Sequence, residues 1–401
     1  MASLHCRTSE RKIMKVSIVI ILCCAISAFS ADHKKIHQKA IVVDTHNDVL
    51  LRAMRGEDLS VRTIEGHSDV VRLKEGGVDV QIFSVWCGTD YGNGTAFNRA
   101  NAMIDTLQAI VGRSSDKMML AKSYKEIEKI LKKGKIAALI GVEGGHMIED
   151  SLSYLDHLAK RGMNYLTLTW NNSTSWATSA ADETEKGDSL AFKGLTEFGK
   201  TVVGRLNDLG VLVDLSHAGE RTFWDVINMT KKPVIVSHSS VYAICPSRRN
   251  LKDDQIKAVA KNNGVICINF YSGFIDSNYS SRVKEIRANF KPLVDSIKHA
   301  NTDHWKTELT IDSVLAPYYL EARPSLSVLI DHIDYIAKLV GPDYVGIGSD
   351  FDGVESLPKE MDDVTFLPNI TRELLKRGYK EKDVKKILGG NVMRVLKANM
   401  K

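Results

Sequence analysis

Three side chains that could do chemistry lie close together near the start of the chain, at Asp44, His46 and Asp48 in 44-DTHND-48. In a β-strand, residues two apart lie on the same face, so the imidazole and the two carboxylates would be neighbours. The apolar residues 41–43 before them predict a buried strand that ends here. On its own this pattern is more typical of a capped strand end than of a functional site, so the rest of the chain has to decide.

Residues of the same kinds end four other apolar stretches. They are Glu143, His217, His238 and Asp350. Imidazole nitrogens and carboxylate oxygens suit zinc or a related divalent ion, and the set exceeds what one tetrahedral zinc needs. Because no thiolate accompanies them, we expect a catalytic site with two metals rather than a structural one. One metal would take His46, Asp48 and Glu143, and the other would take Glu143, His217 and His238, with Glu143 as the bridging carboxylate.

Two zinc ions about 4 Å apart can hold a hydroxide between them and polarise a carbonyl group. The chemistry that this site predicts is therefore hydrolysis of an amide or ester through a metal-bridging hydroxide.

The elements that must position these residues are helices and buried strands in alternation. The predicted strands are 41–46, 78–86, 136–145, 163–170, 211–217, 234–240, 264–271 and 344–352. Amphipathic stretches such as 122–134 and 189–210 lie between them and end on a glycine. Eight repeats predict a (β/α)8 barrel, the TIM barrel, in which catalytic residues lie at the carboxyl ends of the strands. A doubly wound open sheet is the alternative, but 44-DTHNDV-49 is not the glycine-rich loop that such a sheet needs after its first strand.

Residues 1–30 are predicted to be a signal peptide. Arg11, Lys12 and Lys15 precede the apolar run 16–29, and small residues follow at its end. A membrane anchor is the rival interpretation, but the run is short for a bilayer span. The chain ends without a hydrophobic tail, so we expect a secreted or periplasmic protein with no stable membrane anchor after cleavage.

Residues 32–401 are predicted to form one domain with an insertion at about 272–325, which would be a lid, a subunit contact or a plain surface feature. The formal net charge of +5 over 401 residues includes no basic stripe, so no nucleic acid is expected as a partner. Three cysteines follow the signal, too few and too sparse for a disulfide scaffold. Histidines outside the strand ends are interpreted as surface residues, namely His33, His37, His67, His157, His299, His304 and His332.

Six motifs in order also resemble a known family. They are 44-DTHND-48, 143-EGGH-146, 214-DLSH-217, 237-SHSS-240, 247-SRRN-250 and 348-GSDFDG-353. Together they resemble the membrane dipeptidase (renal dipeptidase) family, peptidase family M19, over about residues 38–397. The resemblance implies a zinc-dependent dipeptidase, and its zinc-binding positions fall on the five residues already assigned to the two metals.

The resemblance further implies roles for residues outside the metal set. Arg249 would bind the carboxylate of a small dipeptide substrate, and Asp350 would transfer the proton. A homodimer is the oligomeric state that the family suggests.

One position departs from the family pattern. After 166-LTLT-169, the eukaryotic enzymes carry a histidine that contacts the substrate, and here Trp170 takes that place. An indole donates a hydrogen bond but does not titrate. Trp170 is therefore a substrate-binding candidate that could change the substrate range. The alternative function is a related binuclear metal hydrolase acting on N-acyl amino acids, lactones or β-lactams, and a binding protein that kept the barrel without catalysis is a second alternative.

Overall fold

The computed structural model describes residues 33–92, 94–300 and 304–400. The predicted signal peptide, residues 1–30, lies outside the described residues.

The described residues contain nine strands in one parallel sheet. They are β1 (Val43–Asp44), β2 (Val80–Trp86), β3 (Met118–Leu120), β4 (Ile136–Glu143), β5 (Met163–Thr167), β6 (Leu212–Asp214), β7 (Ile235–Val236), β8 (Val265–Ile268) and β9 (Val345–Ile347). The sheet closes because β2 pairs with both β1 and β4, and β1 pairs with β9. The predicted (β/α)8 barrel is confirmed, and each of the eight predicted strands contains a strand of the barrel.

The ninth strand, β3, was not predicted. It pairs with the first half of β4, from Ile136 to Ala138, while β5 pairs with the second half on the same side. Three residues are too few to show a periodicity, so the pattern of the sequence could not reveal this strand.

Helices follow most of the strands. They are α1 (33–39), α2 (Leu50–Ala53), α3 (Val70–Glu75), α4 (Ala96–Arg113), α5 (Tyr124–Lys132), α6 (Leu152–Arg161), α7 (Ala180–Glu185), α8 (Glu197–Leu209), α9 (Glu220–Met229), α10 (Asp253–Lys261), α11 (Ser272–Ile275), α12 (Tyr279–Asn289), α13 (Lys291–Ala300), α14 (His304–Ala322), α15 (Leu326–Val340), α16 (Pro368–Lys376), α17 (Glu381–Lys385) and α18 (Asn391–Asn399). Short 3-10 turns occur at Gly145–Ile148, Gly187–Ser189, Pro342–Tyr344 and Val364–Phe366, and a π-turn at Lys386–Gly390 joins α17 to α18.

Local sequence fixes the ends of the predicted helices. The Ser123 side chain accepts a hydrogen bond from the backbone N–H of Glu126 at the start of α5. Thr196 caps α8 in the same way, and Gly210 ends α8 in the left-handed region with φ of 76°. Both helices thus begin later than the predicted stretches, directly after the capping residues Ser123 and Thr196.

The strands are buried on both faces because two apolar layers meet them. In β4, Ala137 and Leu139 belong to one buried cluster, and Ala138, Ile140 and Val142 belong to the other. The first cluster fills the barrel interior and includes residues of α18, and the second lies between the barrel and its surrounding helices. Near-continuous apolar strands are the result of this arrangement.

The segment 272–325, which the sequence predicted as an insertion, contains α11 to α14. Val294, Ile311 and Leu315 form a small buried cluster of its own there. Within the described residues, no helix is long and apolar enough to cross a membrane.

The interpretation of the remaining histidines as surface residues holds for the exposed His157 and His299 but was wrong for three others, and the side chain of His304 lies outside the described residues. His33, His37 and His332 are buried. His332 accepts a hydrogen bond from the backbone N–H of Val241 and lies 2.9 Å from the carbonyl oxygen of Ile275, so it joins the loop after β7 and the end of α11 to α15.

Candidate metal centre

The predicted site residues lie at or just beyond the carboxyl ends of five different strands. His46 and Asp48 follow β1, and Glu143 is the last residue of β4. His217 follows β6, His238 follows β7 and Asp350 follows β9. Because parallel strands of a barrel end at one face, residues up to 304 positions apart in the sequence meet here.

The backbone is strained where two of these side chains turn inward. His217 and Asp350 both have φ of 62°, a left-handed conformation that costs free energy for residues other than glycine. Gly353 keeps space free beside them, because a Cβ there would collide with the carboxylates of Asp48 and Asp350.

The two carboxylate oxygens of Glu143 face two different groups of ligands. Oε1 lies 3.0 Å from His217 Nε2 and 3.3 Å from His238 Nε2. Oε2 lies 3.5 Å from His46 Nε2. The side chain thus stands between the two groups, as a bridging carboxylate would.

His46 is the centre of the second group. Its Nε2 lies 3.3 Å from Asp48 Oδ2 and 4.0 Å from Asp350 Oδ1. Ligand atoms of His46, Glu143 and His238, and likewise of His46, Asp48 and Asp350, lie within 4.8 Å of one another.

The Nδ1 atom of each of the three histidines contacts an oxygen atom of a neighbouring side chain. His46 Nδ1 lies 2.7 Å from the Tyr165 hydroxyl, which itself donates to the Thr45 carbonyl oxygen. Because this hydroxyl can donate to Thr45, it can accept from Nδ1, and the neutral His46 then has its lone pair on Nε2, where a metal ion could bind. His238 Nδ1 (2.7 Å from the Ser237 hydroxyl) is held likewise, and His217 Nδ1 lies 3.2 Å from Asn171 Oδ1.

The residues present fit a divalent cation. The Nε2 atoms of His217 and His238 are 3.1 Å apart, and two lone pairs repel at that distance unless a cation lies between them. His46 Nε2 is buried and has no hydrogen-bond partner among the described residues. In tetrahedral zinc sites with bonds of about 2.0–2.1 Å, ligand atoms are about 3.3 Å from one another, which matches these separations. The buried clusters on either side of Glu143 therefore form a candidate site for two metal ions.

The charges of the cluster also favour a cation. Burial alone would lower the pKa of His46, but Tyr165 and the carboxylates of Glu143 and Asp48 raise it well above its usual value, because these groups favour a positive charge on this ring. Burial would raise the pKa of Glu143, but the charge of His46 and the close approach of the imidazoles of His217 and His238 lower it well below its usual range. Burial, together with the cation of Arg249, lowers the pKa of His217 to about 4, so this imidazole is neutral at pH 7 and can bind a metal.

Asp350 differs from the other carboxylates of the cluster. Its Oδ2 accepts a hydrogen bond of 2.7 Å from Asn269 Nδ2, which leaves Oδ1 facing His46. Burial raises the pKa of Asp350 to about 7. Asp352, the other acid of this motif, instead accepts hydrogen bonds from Arg52, the Ser68 hydroxyl and the backbone N–H of His67 and lies outside the cluster.

Arg249 lies in the same cavity, on the loop between β7 and α10. Its guanidinium donates to Ser239 Oγ and to the carbonyl oxygen of His238, both at 3.3 Å. Arg249 is 6 % exposed, and within the described part of the chain it forms no ion pair and its Nε has no partner. Such a buried and incompletely paired cation favours an anionic ligand.

Trp170 lies at the edge of a cavity of about 310 Å³ that contains the cluster and Arg249. Its ring meets the Trp86 ring edge-on, with centroids 4.9 Å apart, and lies 6.4 Å from the His217 ring. All the residues predicted for the site are therefore brought together in or around this one cavity.

Several residues of the site were not singled out from the sequence. Asn269 directly follows β8 as a polar residue, a signal that the strand-end argument could have used. Tyr165 and Asn171 gave no such signal, because their partners His46 and His217 are 119 and 46 residues away. Asp214 belongs to a quoted motif, and it holds Ser237 rather than a metal ligand directly.

Comparison with known proteins agrees with this geometry. The model of one protein family, the membrane dipeptidases (peptidase family M19), matches residues 30–401. Solved structures with similar folds include the dipeptidase AC, a metallopeptidase of family M19, with 24% identity, a TM-score of 0.73 and coverage of 90% of this chain and 99% of that chain.

Two bacterial proteins have comparable likeness. The probable dipeptidase PvdM from Pseudomonas aeruginosa is 24% identical with a TM-score of 0.77, covering 93% of this chain and 98% of its own. A metallopeptidase from Rhodobacter sphaeroides, solved with a phosphinate mimic of the dipeptide L-Ala-D-Ala, is 24% identical with a TM-score of 0.72, covering 90% and 99%. At these identities the structures establish a shared fold.

Proposed function

The chain belongs to the membrane dipeptidase family, peptidase family M19, and on that premise we propose that it is a zinc-dependent dipeptidase that hydrolyses the single peptide bond of a dipeptide. The observation that carries this proposal is the position of Glu143, whose two oxygens face separate groups of imidazole nitrogens. His46, Asp48 and Glu143 would hold one zinc, and Glu143, His217 and His238 would hold the other.

When bound, two zinc ions supply Lewis acids that polarise the scissile carbonyl and lower the pKa of a water at the site. The side chains do the rest. Asp350 Oδ1 would take the proton of the attacking water and pass it to the leaving amine, while Asn269 holds Oδ2 and fixes the orientation of the carboxyl group. Burial brings the pKa of Asp350 near neutrality, which suits this work, and a cation nearby would act against that rise.

Arg249 would bind the carboxylate at the end of the dipeptide. Its burial removes competing water, and a guanidinium can pair with a carboxylate through two parallel hydrogen bonds. This contact orients the substrate, so that the peptide carbonyl lies over the metal cluster.

Glu355 would favour a substrate that carries an ammonium group. It lines the same cavity, is exposed, and forms no ion pair with any residue that the structure describes. A dipeptide has a free α-ammonium, whereas an N-acyl amino acid does not. The Glu355 carboxylate is the feature that ranks dipeptides above the N-acyl amino acids, lactones and β-lactams of the alternative function.

The test is hydrolysis by the mature protein of a panel of dipeptides, with L-Ala-D-Ala among them because a mimic of it binds the Rhodobacter sphaeroides enzyme. N-acetylated amino acids of the same side chains form the control panel. We expect turnover of dipeptides that a chelator abolishes and zinc restores. Turnover confined to the acylated amino acids would replace this function with the alternative one.

Export and assembly complete the proposal. The basic and apolar pattern of residues 1–30 supports cleavage of a signal peptide and a secreted or periplasmic location. Family membership supports a homodimer, which light scattering of the purified protein would test.

A further inference from the structure

The three histidines of the metal centre are held by unrelated groups. His46 Nδ1 contacts a phenol, His238 Nδ1 contacts a serine hydroxyl, and His217 Nδ1 contacts an amide oxygen. None of these partners is a carboxylate or a backbone carbonyl, the usual acceptors for a metal-binding histidine.

Tyr165 holds His46 from inside the barrel. Its side chain is fully buried in the interior apolar cluster, and its hydroxyl contacts two atoms, His46 Nδ1 at 2.7 Å and the Thr45 carbonyl oxygen at 3.2 Å. Gly141 of the neighbouring strand makes room for the phenol, because a Cβ there would lie only 2.0 Å from Tyr165 Cζ. The packing therefore fixes the position of the hydroxyl. Its oxygen can accept a hydrogen bond from His46 Nδ1 while its proton points to Thr45.

Ser237 holds His238 through a different chain of hydrogen bonds. Its hydroxyl donates to Asp214 Oδ2 at 2.7 Å and accepts from His238 Nδ1 at 2.7 Å. Asp214 is itself held by the Thr167 hydroxyl at 2.5 Å and by the backbone N–H groups of Ser216 and Ser237. Thr45 links this chain to the Tyr165 contact, but through the Ser237 carbonyl oxygen, which accepts from the Thr45 hydroxyl at 2.6 Å, and not through the Ser237 hydroxyl that holds His238.

We infer that Tyr165 and Ser237 are positioning residues that set the affinities of the two metal positions separately, Tyr165 for the position of His46 and Asp48, and Ser237 for the position of His217 and His238. The inference rests on the proposed binuclear site. Each hydroxyl keeps the proton of its histidine on Nδ1 and the lone pair on Nε2, so losing one hydroxyl frees the tautomer and the ring orientation of one ligand.

The variants Tyr165→Phe and Ser237→Ala remove one hydroxyl each and keep most of the side-chain volume. Removing a hydrogen-bond partner of a metal ligand typically lowers metal affinity about 10–100-fold. In competition with a chelator of known affinity, we expect each variant to retain one zinc with wild-type affinity and to bind the other about 10–100-fold more weakly.

A double-mutant cycle identifies which zinc is weakened. In an Asp48→Asn background, which keeps the position of His217 and His238, Ser237→Ala should weaken the remaining zinc and Tyr165→Phe should not. In a His217→Asn background, Tyr165→Phe should weaken the remaining zinc and Ser237→Ala should not. Substituting Co²⁺ for zinc adds a readout, because its visible spectrum reports the ligand geometry at the weakened position.

Tyr379→Phe is the matched control, since its hydroxyl donates to Asp334 away from the site. If Tyr165 had only a structural role, Tyr165→Phe would lower the melting temperature, as the control can, but would not weaken the binding of one zinc more than the other. Loss of both zinc ions together, or wild-type affinity for both, in Tyr165→Phe would overturn the inference. A wild-type protein that binds no zinc would overturn the proposed metal site itself, and with it the inference that Tyr165 and Ser237 set the two zinc affinities separately.

Discussion

Glu143 lies between the two groups of ligands in the candidate centre. The side chains around it have separate roles in the proposed reaction: metal binding, proton transfer and substrate binding. Three imidazoles turn their Nε2 atoms inward, Asp350 presents one oxygen, and Arg249 lies in the same cavity without a carboxylate partner among the described residues. The strand-end pattern was enough to single out the three histidines, Glu143 and Asp350 from the sequence, whereas Arg249 came from the family resemblance. Their hydrogen-bond partners could not be found in that way, because Tyr165 sits within an apolar strand and its partner lies far away in the chain.

Asp350→Asn should lower kcat by about 100- to 10,000-fold, because an amide cannot accept and return the proton. Zinc content should stay at the wild-type level, since the zinc ligands proposed here are other residues. Steady-state kinetics and metal analysis of the same sample test this. Near-normal turnover in the variant would remove Asp350 from the mechanism.

Arg249→Lys should raise KM for dipeptides by about 10–100-fold, because an ammonium cannot replace a bidentate guanidinium and a charged hydrogen bond is worth about 1.5–3 kcal/mol. Arg248→Lys is the matched control, since Arg248 pairs with Glu185 at the surface. Dipeptide amides lack the carboxylate, so for them the KM of the Arg249→Lys variant should differ much less from the wild-type KM. An equal loss with the amides would mean that Arg249 acts on something other than the carboxylate.

At the scale of elements, the loops after the strands bear the strain of the site. The left-handed His217 and Asp350 and the close approach at Gly353 lie in these loops, and the apolar strands below them hold the loops in place. The eight barrel strands were predictable because each is a buried apolar run. The strand β3 was too short to detect, and the burial of His332 depends on loops that no local pattern places.

Gly353→Ala should reduce both zinc affinity and activity, because the added methyl group would push the carboxylates of Asp48 and Asp350 apart. Overpacking of this kind costs about 1–3 kcal/mol. Gly204→Ala, in α8 where a methyl group would meet no neighbouring atom, is the control and should leave activity unchanged. Equal activity of the two variants would show that the loop has more room than its geometry indicates.

His332 should make stability depend on pH. Burial lowers its folded pKa to about 4, below the value of about 6.5 in an unfolded chain. The unfolded state therefore binds a proton that the folded state resists, and stability should fall by about 3 kcal/mol as pH drops from 6.5 to 4.

Urea unfolding of the metal-free protein between pH 4 and 7 measures this effect. His332→Gln should be less stable at pH 7, because it loses the contacts with Val241 and Ile275, but its stability should depend less on pH. The same slope in both proteins would mean that other groups cause the acid sensitivity.

At the scale of the whole molecule, the barrel separates apolar packing from chemistry. Aliphatic side chains and α18 fill the interior, while the polar residues collect at the carboxyl ends of the strands. Strand–helix alternation and the polar residues at the strand ends were enough to predict this architecture, and membership of peptidase family M19 agrees with it. The choice of zinc and the preferred dipeptide depend on contacts inside one cavity, so they lie beyond what a sequence pattern can fix.

The central claim is that two zinc ions, bridged by Glu143, are required for dipeptide hydrolysis. The most direct measurement is titration of the metal-free protein with zinc while the hydrolysis of one dipeptide is followed. We expect activity to be absent at the start and to rise until about two zinc ions are bound per chain, as a bridged pair requires. Full activity without zinc, or a plateau at one zinc per chain, would contradict the account.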